Sequence, residues 1–276
     1  METSVFLDIL KESAIITLVV TTLMLVIEIF NYLLKGKLFD WMRSTRFGQV
    51  VGSALLGVLP GCAGGYISVS MYSRGLFSFG ALLAMMVSTT GDEAFLMLAL
   101  FPKKALLVFV GLLLLGIAAG WATDAIRKAR KGELEYIASL PRPDGSEAEK
   151  TLRERLLHVL PHALRIFLWT FGVLLLVAFL QQRFNLGEWI QAHPGLSILL
   201  AVAIGLIPQS GPHMALVTLF ADGMLPLSAL IANCIVQEGH AGLPLLAESK
   251  SAWLRAKLIK VILAIIISLV LSLAGL

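Results

Sequence analysis

Apolar runs of membrane-spanning length follow one another along the chain, at roughly residues 13–34, 47–73, 76–101, 104–126, 159–181, 195–221, 224–247 and 253–275. A helix needs about 20 apolar residues to cross hydrocarbon, and each run comes near that length or exceeds it. The predicted elements are therefore spanning helices, in an all-α polytopic membrane protein. The run 47–73 does not read as one helix. Leu59-Pro60-Gly61, followed by Gly64-Gly65, removes a backbone donor and adds helix-weakening positions at its middle, so two half-helices are expected there. Backbone groups freed inside a membrane must be satisfied by protein or by water in a cavity, which puts such a break at a buried site. The run 76–101 is expected to be a single span, ended by Pro102-Lys103-Lys104.

The interrupted pattern occurs twice. Residues 57–99 align without a gap on residues 205–247 at an offset of 148, and ten of the 43 pairs are identical, among them Gly57/Gly205, Pro60/Pro208, Gly75/Gly223 and Gly91/Gly239. Helix breakers fall on helix breakers, so the stretch is an internal duplication. The second break reads Pro208-Gln209-Ser210-Gly211-Pro212-His213. Matching interrupted segments in two halves point to a transporter's binding site. The expected organisation is a first transmembrane half over 1–126, a basic linker over 127–158 and a second transmembrane half over 159–276.

Charge sets the orientation. With 58% hydrophobic and only 14% charged residues, the composition excludes a soluble domain. The net charge of +4 lies mostly in loops and speaks of membrane orientation, with no nucleic-acid partner. Lys35, Lys37, Arg43 and Arg46 face only Asp40 in the loop 35–46, and Arg127, Lys128, Arg130 and Lys131 open the linker. Both segments are expected on the cytoplasmic side. Residues 182–194, with one Arg, are expected outside, and Lys250, Arg255 and Lys257 are expected in an inside loop before the last span. Two cytoplasmic loops require an even number of crossings between them, yet three apolar runs intervene. The broken run must return to its own side or cross twice. Each half then crosses an odd number of times, and the second half lies upside down, as two inverted repeats with re-entrant or half helices at the centre. A parallel eight-span duplication is the second reading. The first run lacks a basic start and a small-residue cleavage site, so it is expected to remain a span. Cys62 and Cys234 lie inside apolar runs and form no disulfide framework.

Polar residues at the breaks carry the chemistry. Ionisable groups inside hydrocarbon cost a few kcal/mol or more, so they mark a path or a site. The first copy holds Cys62 and Thr89-Thr90-Gly91-Asp92-Glu93; the second holds Gln209, Ser210, His213 and Gln237-Glu238-Gly239-His240. Cys62, Asp92, Glu93, Gln209, His213, Gln237, Glu238 and His240 are the candidate metal ligands. Pro60, Gly61, Gly64, Gly65, Thr89, Thr90, Pro208, Ser210, Gly211 and Pro212 are expected to shape the path. A mixed set of thiol, imidazole and carboxylate suits a borderline divalent transition metal, being too soft for Mg²⁺ or Ca²⁺ and too poor in thiols for Cu⁺. Glu28, in the first run, either snorkels or belongs to an ion path. His158 and His162 share a helix face as solvated groups or as a metal pair. Met85, Met86, Met97 and Cys234 are expected in the core. The rival cargo is an inorganic oxyanion held at half-helix N-termini, against which stands the lack of lysine and arginine in the breaks. An intramembrane zinc hydrolase using Glu238 and His240, or a purely structural subunit, are the remaining alternatives.

The Leu59-Pro60-Gly61-Cys62 break, Ile207-Pro208-Gln209-Ser210-Gly211-Pro212-His213, Gly91-Asp92-Glu93, Glu238-Gly239-His240 and His158-Val159-Leu160-Pro161-His162 together resemble the heavy-metal exporter family of about ten spans, also labelled manganese transporter or arsenical-permease-like. The resemblance covers about residues 10–270. It implies a non-enzymatic secondary transporter in the bacterial inner membrane that exports a divalent metal, Mn²⁺ foremost, driven by protons or by potential. No tightly bound cofactor is implied. The expected partners are the bilayer, the metal ion, protons and a second copy of the chain.

Overall fold

The computed structural model describes residues 45–61, 63–73, 77–126, 192–208, 210–238 and 249–276, with scattered positions within 6–22, 164–190 and 242–246. The first span beyond residue 22, with Glu28, the linker 127–158, the pair His158 and His162, and the ligands Cys62, Gln209 and His240 lie outside the described residues. The first copy runs through α1 (Arg46–Val58), α2 (Ala63–Ser73), α3 (Phe79–Ser88), α4 (Glu93–Leu100) and α5 (Pro102–Ile126). The second runs through α6 (Pro194–Gly205), α7 (Ser210–Ala221), α8 (Leu227–Val236) and α9 (Lys250–Leu273). Among the described residues the chain is all helical, as the apolar runs required. The offset found in the sequence governs the backbone as well: α1, α3 and α5 begin 148 residues before α6, α8 and α9, and α3 ends 148 residues before α8.

The broken run 47–73 is two helices, as expected of Pro60-Gly61. The run 76–101 departs from expectation. It is interrupted at residues 89–92, between α3 and α4, although no proline lies there. The first copy therefore brings two broken helices to its middle; in the second, α6 gives way to α7 and α8 stops at Val236. Taken together, α3 and α4 form the most enclosed span, with 89% of its apolar window buried, whereas the corresponding shares for α5 and α9 are 33% and 28%. Large side chains on those two outer helices, among them Leu107, Leu114, Leu258 and Ile266, are exposed, which suits helices turned toward lipid. The central span is shielded from it.

Within the first copy α3 packs on α1 and α5; within the second α8 packs on α6 and α9 in the same pattern. Small residues allow it. Gly116 and Gly120, one turn apart on α5, lie against the backbone of α3, where a Cβ added to either would sit 2.6 Å from the Ala84 carbonyl or 2.5 Å from the Gly80 carbonyl. This small-xxx-small approach is how helices pack tightly where lipid supplies no hydrophobic drive. Asp124 on α5 closes the start of α3: its carboxylate accepts from the Gly80 amide at 2.9 Å and from the Ser78 hydroxyl, in keeping with the positive end of a helix dipole. Between copies, α3 touches α8 and α9, α8 touches α5, and α4 touches α7. Exchange of the copies maps α3·α8 onto itself and α3·α9 onto α8·α5.

Gly120→Val would force a branched side chain into the α3 backbone and is expected to destabilise the protein by about 1–3 kcal/mol. Gly111→Val, at a position where an added Cβ meets nothing within 4 Å, should leave it unchanged. Thermal unfolding in detergent compares the two, and equal melting temperatures would refute the close packing.

Candidate functional site at the paired helix breaks

In the first copy α1 gives way after Val58 to extended backbone at Leu59, and Gly61 takes a φ of 97°. α3 gives way after Ser88 to extended backbone at Thr89 (φ −73°, ψ 134°), and Gly91 takes a φ of 56°. Those two positive φ values are what glycine allows at low strain. The breaks are joined directly, since the Gly61 amide donates to the Gly91 carbonyl at 3.0 Å. In the second copy α8 ends at Val236, and Gln237 is extended in the same way (φ −70°, ψ 157°). The two copies meet at equivalent positions: the Gln237 side-chain amide donates to the Thr89 carbonyl at 3.0 Å, across 148 residues. A residue that touches its own counterpart lies where the copies are related to each other.

Thr89, Thr90, Glu93, Gln237 and Glu238 are all buried at this junction. Asp92, at the start of α4, is half-buried. Several oxygens here have no hydrogen-bond partner among the described residues: Thr90 Oγ1, both carboxylate oxygens of Glu93, Gln237 Oε1 and Glu238 Oε2. A buried acceptor without a donor costs about 1–3 kcal/mol, more when charged, so such a group calls for a partner such as a proton, a water or an ion. Gly64 and Gly65 are buried at the start of α2, and Gly211 is buried and Pro212 half-buried in α7. The Ser210 backbone opens α7, and Pro60 and Pro208 lie in the bends between half-helices.

The second copy holds two cations, of which the sequence reading put Lys257 in a loop and did not single out Lys260. Lys257 belongs to α9 rather than to a loop, and it is 3% exposed; Lys260, one turn on, is 0% exposed. The expectation that the breaks lack lysine is corrected accordingly. Lys257 Nζ donates to the Val236 carbonyl at 3.0 Å and the Gly205 carbonyl at 3.3 Å, the last residues of α8 and α6. Lys260 Nζ donates to the Gln237 carbonyl at 2.9 Å. Helix C-termini leave their carbonyls unpaired and carry partial negative charge, and the ammoniums satisfy both. Glu238 Oε1 completes the cluster, 3.1 Å from Lys260 and 3.4 Å from Lys257, while Lys257 lies 5.8 Å from the centre of the Trp253 ring.

His213 is fully engaged with protein. Its Nε2 lies 3.1 Å from the Ile207 carbonyl and its Nδ1 lies 3.1 Å from Asn233 Nδ2, which also donates to the Ala201 carbonyl at 3.0 Å. All three bonds are satisfied by an Nε2–H imidazole, whose ring nitrogens are then both in use. The histidine thus pins the Pro208 break to α8 and α6. Cys234, Met85, Met86 and Met97 are buried in the core, as expected. Among the described residues no three His, Cys, Asp or Glu side chains come together closely enough to hold a metal ion.

A family model described as "Putative, 10TM heavy-metal exporter" matches the chain over residues 5–182 and again over 166–273. The chain belongs to this exporter family. No curated protein and no solved structure matches it. For a heavy-metal exporter, acids and amides at interrupted helices in the protein interior are the expected place for cargo, because only there can polar groups be held away from lipid.

His213→Ala is expected to lower stability by about 2 kcal/mol or more, because it strands Asn233 and the Ile207 carbonyl in the interior. Metal binding by the folded variant should not change. A stable variant with lost metal affinity would instead make His213 a ligand.

Proposed function

We propose that the chain is a secondary transporter of inverted-repeat architecture that exports a divalent transition-metal cation, Mn²⁺ foremost, through the paired breaks. The reading rests on the buried oxygens of Thr90, Glu93 and Gln237 that lack partners among the described residues. A cation would satisfy several of them at once, and carboxylate, amide and hydroxyl oxygens favour hard ions such as Mn²⁺ over Cu⁺. With the His213 nitrogens in use, the described donors are harder than the mixed set expected at first. Asp92, Cys62, Gln209 and His240 adjoin the same breaks in sequence and are proposed to complete the path. An unpartnered carboxyl such as that of Glu93 is satisfied by a proton or by a metal ion, which would couple export to proton entry across the bacterial inner membrane.

Two contacts support the inverted arrangement. The start of α3 lies at the Asp124 end of α5. The end of α7, six residues before α8 begins, lies at the other end of α5: Phe220 meets the Phe101 ring at a centroid distance of 5.0 Å, and Lys104 lies 5.2 Å from its ring centre. α5 has 25 residues and is therefore about 37 Å long. Equivalent helices α3 and α8 thus start near opposite ends of one span.

Lys257 and Lys260 favour a second reading, in which the cargo is an inorganic oxyanion of phosphorus, arsenic or selenium. Export assays separate the two. Cells overproducing the chain are expected to lose Mn²⁺ and to tolerate excess Mn²⁺, and Glu93→Gln at equal membrane abundance should bring both back to the level of cells without the protein. Efflux of an oxyanion with Mn²⁺ content unchanged would replace the cation reading.

A further inference from the structure

The two copies share their backbone and differ in what lies behind it. In the second copy, α9 presents Lys257 and Lys260 to the C-terminal ends of α6 and α8. The equivalent positions of α5 in the first copy, 148 residues earlier, are Phe109 and Leu112, both buried. By that offset, the same outer helix carries two ammoniums in one copy and hydrocarbon at the corresponding positions in the other.

Helix C-terminal ends attract cations. In the second copy that attraction is already met, by two tethered cations held on three backbone carbonyls and the Glu238 carboxylate. In the first copy, among the described residues, the Thr89 carbonyl receives the neutral Gln237 amide. Beside it stand Thr90 Oγ1 and the Glu93 carboxylate, buried and without partners.

We propose that Lys257 and Lys260 are resident cations that close the second copy to cargo, so that each chain binds a single divalent cation, in the first copy, beside Thr90 and Glu93. The proposal rests on the cation reading of the cargo and assigns it a place and a stoichiometry. Ammoniums bonded to Glu238 repel a dication in the low-dielectric interior far more strongly than they would in water, so Glu238 balances the lysines instead of ligating metal. The lysines thereby determine which of two equivalent helix junctions is open.

The test is Mn²⁺ binding to the purified full chain in detergent, read from the electron paramagnetic resonance signal of free Mn²⁺, with monodisperse elution required of each variant. The wild type is expected to bind one Mn²⁺ per chain. Glu93→Gln, isosteric and uncharged, should weaken binding by at least about tenfold, which corresponds to 1.4 kcal/mol. Lys257→Met with Lys260→Met should free Glu238 and the helix ends, raising the stoichiometry to two. If that double variant does not elute as one species, Leu112→Lys replaces it: a lysine placed behind the first junction should abolish binding. Wild-type affinity in Glu93→Gln, a stoichiometry of one in the double lysine variant, or retained binding in Leu112→Lys would overturn this proposal and leave the cation reading standing. A wild-type chain that binds no Mn²⁺ would sink both.

Discussion

Every backbone carbonyl placed inside a membrane needs a donor, and a helix that stops there leaves up to four without one. This chain stops helices in its interior repeatedly, at Val58 and Ser88 in one copy and at Gly205 and Val236 in the other. How those ends are satisfied organises the rest. Gly61 donates to Gly91, Gln237 to Thr89, Lys257 to Gly205 and Val236, and Lys260 to Gln237. Each bond ties one break to another break or to an outer helix. The centre is thus held by the same groups that make it polar.

That arrangement explains why the buried acids Glu93 and Glu238 lie at the inner breaks. α5 and α9 both show large apolar side chains to their surroundings, and α9 turns small or polar ones inward: its buried positions are Ala252, Ala256, Lys257, Lys260, Ala264 and Ser268. A soluble helix hides its leucines; a lipid-facing helix hides its polar residues. Glu93 and Glu238 lie in the interior, each 2% exposed, behind outer helices whose large apolar side chains are exposed.

Much of this was legible in the sequence, and the gaps have physical causes. Pro60-Gly61 announced its break because proline removes a donor that no neighbour can restore. The break at 89–92 went unread because Thr89-Thr90-Gly91-Asp92 contains no proline and a lone glycine is tolerated in a helix. Its signal was the pairing of Gly91 with Gly239 between polar neighbours in both copies. Lys257 and Lys260 were missed for a different reason: charge near the end of an apolar run reads as a loop, and only their shared face with Ala256 and Ala264 distinguishes them from exposed Leu254 and Leu258. The role of His213 could not be read at all, since its partners Ile207 and Asn233 are set by how the Pro208 break folds against α6 and α8. Sequence indicates where an imidazole lies, but only packing decides whether its lone pair is free.

Duplication gave both copies one backbone, down to the offset of their helix starts, and substitution behind that backbone then separated them. Phe109 and Leu112 leave the first junction uncharged, while Lys257 and Lys260 fill the second. A pair of copies with equal sites would hold cargo equally well at either junction. Placing two lysines at one of them, with the Glu238 carboxylate between them, makes the junctions unequal without altering the helices that frame them. The chemical difference between the halves therefore resides in side chains on the outer helices, behind helix ends that both halves share.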